Sequence, residues 1–134
     1  MPHVKRIHHV AMLVEDLDQA LAFWRDGLGL AMSDLQDVPA EQSQVAFLPT
    51  GESEVELIRP TSDDSGIAKY LAKRGPGMHH LCVEVDDLPA MLARLKGQGI
   101  RLINEEPRTT TEGRQYAFVH PESTNGVLVE LYQL

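Results

Sequence analysis

The sequence has one cysteine, Cys82, so no internal disulfide can form and a reducing cytoplasm is the expected setting. It has no run of about 18 apolar residues, the length a membrane-spanning helix needs. The opening Met-Pro-His-Val-Lys-Arg passes into a strand-like pattern without the apolar stretch of a secretory signal. Positive charge is scarce: 12 Lys and Arg against 20 Asp and Glu leave a formal charge of −8. A general phosphate-backbone binder needs a cationic footprint, so the charge argues against that class, while a local basic pocket for one anionic ligand is not excluded. There is no Gly-x-Ser-x-Gly, hence no nucleophile elbow. Gly27-Leu28-Gly29 supplies only part of a dinucleotide loop, and it closes a helix rather than opening one after a strand.

What is present is ordinary in amount and unusual in arrangement. The 134 residues, 43% of them hydrophobic, suffice for one domain with its own core. That domain is internally duplicated. Residues 7–22, IHHVAMLVEDLDQALA, return at 78–93 as MHHLCVEVDDLPAMLA, with seven of sixteen positions identical at an offset of 71. A second echo closes each half: Val55-Glu56-Leu57 matches Val129-Glu130-Leu131. The halves span about 5–60 and 77–134.

Each half reads as strand, helix and three strands. Residues 6–14 predict a strand, and Asp16 caps a helix whose Leu17, Ala20, Leu21, Trp24 and Leu28 recur at helical spacing. Gly27 and Gly29 stop it, and strands follow at 30–36, 44–49 and 53–59. In the second half a strand covers 78–85 and Asp87 caps a helix that Gly97 and Gly99 end. Strands near 101–104, 115–120 and 126–132 complete it, and a linker helix is expected at about 65–73. The fold class is therefore α+β, built from two βαβββ modules.

The duplicated polar residues are one His pair and one Glu per half. If one His and one Glu of each half share a face, two imidazoles and two carboxylates suit a divalent transition metal and leave positions open for substrate. Adjacent strand residues point to opposite faces, so one of His8 and His9, and one of His79 and His80, takes part. Parity does not decide which. His3 reads as a loose terminal residue, His120 before Pro121 as turn structure, and Cys82 as a buried core thiol.

These motifs resemble the vicinal oxygen chelate, or glyoxalase-like, superfamily, and within it the methylmalonyl-CoA epimerases. The residues that carry the resemblance are IHHVAMLVEDLDQALAFWRDGLGL at 7–30, the stretch 45–88, EEPR at 105–108 and FVHPESTNGVLVEL at 118–131. It implies that the eight strands form one cupped mixed sheet. It also implies a metal held by His9, Glu56, His80 and Glu130, with Co2+ the usual ion and Zn2+, Ni2+, Mn2+ or Fe2+ as alternatives. The implied reaction inverts C2 of an acyl-CoA, methylmalonyl-CoA or its ethylmalonyl homologue, through a metal-stabilised enolate, in a cytoplasmic homodimer. Glu56 and Glu130, related by the duplication, are the expected acid–base pair, with Glu41 as a second candidate base.

The sequence departs from the family at two places. Where some epimerases carry a catalytic glutamate after an EQG-like turn, counting from Glu41-Gln42-Ser43 gives Ala46. Where Lys is frequent in the HPxS turn, this chain has Glu122. Lys69, Lys73 and Arg74 in the linker helix are the cations nearest to hand for CoA. The competing readings are a glyoxalase I-like lyase, an Fe(II) ring-cleaving dioxygenase and a non-catalytic small-ligand-binding protein of the same fold. The full four-residue donor set weighs against the last two.

Overall fold

The computed structural model describes residues 1–134. The chain forms an eight-stranded mixed sheet with helices, as the α+β reading expects. The strands are β1 (Val4–Leu13), β2 (Asp34–Val38), β3 (Ser43–Thr50), β4 (Ser53–Pro60), β5 (Gly77–Val85), β6 (Arg108–Thr109), β7 (Gln115–Val119) and β8 (Val129–Gln133). The helices are α1 (Leu17–Leu21), α2 (Gly66–Arg74) and α3 (Leu88–Gly97). None is long and apolar enough to cross a membrane.

Two compact units share the first strand. One comprises Val10–His79, the other Met1–His9 with His80–Leu134. In the first unit β2, β3 and β4 form antiparallel pairs, with the end of β1 beside β4, where the Val14 N–H donates to the Ile58 carbonyl at 3.0 Å. The sheet buries one face under α1: Leu17 and Leu21 pack with Ala46, Leu48 and Leu57. Asp16 caps α1 by accepting the Gln19 N–H at 3.0 Å. Beyond Leu21 the helix widens into a π-helical turn, Ala22–Gly27, closed by the Leu28 N–H on the Phe23 carbonyl at 2.8 Å. Ser65 caps α2 in the same way through the Ala68 N–H.

In the second unit β5 pairs with β8 in parallel, β8 with β7 and β7 with β6 antiparallel. Asp87 caps α3 through the Ala90 N–H at 3.1 Å, with Pro89 in the first turn. Leu88, Met91 and Leu92 of α3 bury against Val85, Ala117, Val119 and Leu131. Gly29 and Gly99 take left-handed φ of 84° and 77° just past their helices, a conformation costly for a side chain bearing Cβ.

Two expected strands shift, and one expected loose end is tied down. The strand expected at 30–36 starts at Asp34. The strand expected at 101–104 reduces to one bridge, Leu102 with Val119. There the Asn104 side chain accepts the Phe118 N–H at 2.9 Å, taking the place of a neighbouring backbone carbonyl, and pairing resumes only at Arg108–Thr109. His3 is no loose end: its N–H donates to Asp86 Oδ1 at 2.8 Å and its carbonyl accepts the Asp86 N–H.

Candidate metal centre

Three strands of the unit that holds both ends of the described chain bring one side chain each to a common point. β1 supplies His9, β5 His80 and β8 Glu130, and all three are buried. The parallel register sets Cys82 opposite Glu130, and the antiparallel register sets Phe118 opposite Glu130. Cα partners project to the same face, as do residues two apart on one strand, so His80, Cys82, Glu130 and Phe118 line one face. Phe118 presses its ring edge on His80, with centroids 5.6 Å apart.

The reactive atoms form a nearly equilateral triangle. His9 Nε2 and His80 Nε2 lie 3.2 Å apart, and each approaches Glu130 Oε1, at 3.3 and 3.1 Å. Donors sharing one ion at about 2.0–2.2 Å stand about 2.9 Å apart in octahedral and about 3.4 Å apart in tetrahedral arrangement. The observed edges fall between these values, and an N2O donor set suits a borderline divalent cation. The residues present therefore fit a metal. Burial alone would raise the Glu130 pKa, but hydrogen bonds and positive charge from His80 and His9 outweigh it and hold the carboxyl at about 2.

His8 completes the cluster from the side. Its Nδ1 lies 2.8 Å from His9 Nδ1, the two rings meeting edge to face with centroids 5.0 Å apart. The Tyr132 ring packs against it at 5.0 Å. Burial, then the neighbouring His9 and Arg6 charges, lower the His8 pKa to about 4. Further along the same strands, buried Glu84 bridges Arg6 Nε at 2.6 Å and Lys5 Nζ at 3.3 Å. The Arg6 hydrogen bond, assisted by Lys5 and opposed by burial, keeps its pKa below the ordinary carboxylate value.

The other expected site residues are placed as follows. Glu56 sits half-buried in the middle of β4, in the other unit, opposite Phe47. Ala46 pairs with Leu57 on the opposite face of that hairpin and is fully buried beneath α1. A carboxylate at Ala46 would therefore face the core, not the face that carries Glu56. Glu41 is exposed at the end of a short 3-10 turn. Glu122 is tied to Arg101 by an exposed ion pair at 2.6 Å, and His120 caps the turn Pro121–Ser123 through the Glu122 N–H. His79 sets its ring against Tyr70 of α2. A shallow groove of about 350 Å³ between Glu15–Asp18, Gln44 and Arg59 holds none of the expected ligands. His8 is the site residue that strand parity overlooked: parity assigns faces, while a ring nitrogen can reach sideways to its neighbour.

Comparison with known proteins gives the family. The chain belongs to the Glyoxalase/Bleomycin resistance protein/Dioxygenase superfamily, whose pattern it matches over residues 8–118. Within that superfamily its place is the methylmalonyl-CoA epimerase family, and it is an isomerase of the epimerase type. It is 38% identical over 133 residues to the ethylmalonyl-CoA/methylmalonyl-CoA epimerase of Cereibacter sphaeroides, covering 98% of this chain and 99% of that protein. It is 40% identical over 129 residues to the mouse mitochondrial methylmalonyl-CoA epimerase, covering 96% of this chain and 72% of that one. A solved methylmalonyl-CoA epimerase in complex with methylmalonyl-CoA and NH4+ superposes with a TM-score of 0.87 at 31% identity, covering 98% and 95% of the two chains.

Proposed function

We propose that this chain inverts the configuration at C2 of methylmalonyl-CoA by removing a proton from one face and returning one to the other. The C2 proton lies between a thioester and a carboxylate, so its removal leaves an enolate. His9, His80 and Glu130, with Glu56 as fourth ligand, would hold a divalent metal, Co2+ in the first instance. When bound, it supplies positive charge beside the substrate oxygens on which negative charge develops. The observation that carries the reading is the convergence of His9 Nε2, His80 Nε2 and Glu130 Oε1 within 3.1–3.3 Å of one another.

Inversion needs two acid–base groups on opposite sides of a planar carbon. Glu130 and Glu56 fill those roles. Both imidazole contacts of Glu130 are made with Oε1, so Oε2 is the oxygen placed to take a proton. The low pKa of the metal-free carboxyl keeps it ionised at neutral pH. Glu56 occupies the duplicated position on β4 and acts from the other half. Lys69, Lys73 and Arg74 on the exposed side of α2 offer the cations for the CoA phosphates. Ethylmalonyl-CoA, one methylene larger, is the expected second substrate, since a hydrophobic pocket discriminates a methylene by only about 1–3 kcal/mol. The same reading makes the protein a cytoplasmic homodimer, which sedimentation at micromolar concentration checks.

The test is solvent exchange. Co(II)-loaded protein is given one epimer of methylmalonyl-CoA in D2O, and mass and stereochemistry are followed together. Deuterium at C2 arriving with inversion supports the proposal. No exchange with metal confirmed bound refutes it and turns attention to glutathione hemithioacetals.

A further inference from the structure

The His-His dipeptides of the two halves do not share one environment, and the difference assigns a role to His8. A neutral imidazole carries one proton, so a ring that presents the lone pair of Nε2 must carry its proton on Nδ1. His9 turns Nε2 toward His80 and Glu130. Its Nδ1 lies 2.8 Å from His8 Nδ1, so with an ion on His9 Nε2 it is His9 that would donate and His8 that would accept. That places the His8 proton on its own Nε2. The His8 ring is held from its other side by Tyr132, whose hydroxyl receives Arg114 Nη1 at 3.5 Å. In the other half the counterpart His79 packs its ring edge on Tyr70.

We propose that His8 is a positioning residue: by accepting the Nδ1 proton of His9 it fixes the tautomer and ring orientation that make His9 an Nε2 ligand. The inference rests on the metal-centre reading above. Without His8 as acceptor, the tautomer with the proton on Nε2, which is no donor to the ion, is no longer disfavoured by this contact. Partners of this kind typically change metal affinity 10–100-fold.

The experiment measures Zn(II) affinity by competition with a chromophoric chelator, in the wild type and three variants. His8→Phe keeps an aromatic ring against Tyr132 and removes the acceptor; His8→Asn returns a carbonyl acceptor; His80→Ala removes a ligand. The expected result is a 10–100-fold loss in His8→Phe, recovery of most of it in His8→Asn, and a larger loss in His80→Ala. Long-range 1H–15N spectra of the Zn(II)-loaded wild type should show His9 protonated on Nδ1 and His8 on Nε2. They decide the matter if His8→Phe fails to fold. Affinity in folded His8→Phe within twofold of the wild type, or His9 bound through Nδ1, overturns the role of His8 and leaves the metal centre standing. Affinity untouched in His80→Ala overturns the metal centre itself, and the role of His8 with it.

Discussion

Glu130 ties the stability of the metal-free protein to acid in a way that one substitution isolates. The carboxyl has an ordinary pKa of 4.5 when exposed and about 2 in the fold, where His80 and His9 hold it against the effect of burial. Its side chain is only 12% exposed, so solvent screens this difference little. A depressed carboxylate pKa favours the folded state above the unfolded value, and that contribution disappears as pH falls from 4.5 toward 2. At about 1.36 kcal/mol per pKa unit, the full effect is about 3 kcal/mol, of which about 2 kcal/mol is lost between pH 6 and pH 3. In urea, at about 2 kcal/mol per molar, that is a fall in midpoint of about 1 M. Other carboxyls titrate over the same range, so the measured quantity is the difference between wild type and Glu130→Gln, both stripped by chelator. The wild-type midpoint should drop about 1 M further than that of the variant on going from pH 6 to pH 3. Equal drops would refute the claim that the imidazoles hold Glu130 ionised in the empty site.

Glu56→Gln should keep most of the bound metal by elemental analysis while losing C2 inversion; full activity would remove Glu56 from the acid–base pair. Leu57, fully buried among Leu17, Leu21, Ala46 and Leu48, should cost about 3–5 kcal/mol on truncation to Ala. For a chain of 134 residues that lowers Tm by about 10 °C or more in calorimetry. Breaking the exposed Arg101–Glu122 pair with Glu122→Lys should change stability by less than about 1 kcal/mol and leave turnover unaltered, which a thermal scan and an epimerase assay check together.

Local chemistry made much of the fold readable. The caps Asp16 and Asp87, and the stops at Gly29 and Gly99, act within a turn of the residues they control, so the sequence shows where those helices begin and end. The short strand expected at 101–104 fails for a non-local reason. The Asn104 side chain takes the N–H of Phe118, fourteen residues away. The π-helical turn at Ala22–Gly27 is invisible for a related reason: a helical stripe reads the same whether one turn carries an extra residue or not. At the site, duplication singled out the His pairs and the two glutamates, and the resemblance chose His9 and His80. Alternation along a strand assigned His8 to the other face and so missed its contact with His9. It likewise could not show that Ala46 turns toward α1, away from the face of Glu56.

The donors of the centre are far apart in the order of synthesis. His9 and Glu130 are separated by 121 residues, with His80 between them. At about 5–20 residues per second, roughly 6–24 s pass between the first ligand and the last. Over that interval a nascent chain holds two histidines without the carboxylate that sets them in place. The strand pairing that would align them, β5 with β8 in parallel, also waits for the final segment. On the proposed reading, metal acquisition would be a late event, with the choice of ion made by the folded protein against whatever the surrounding pool then offers.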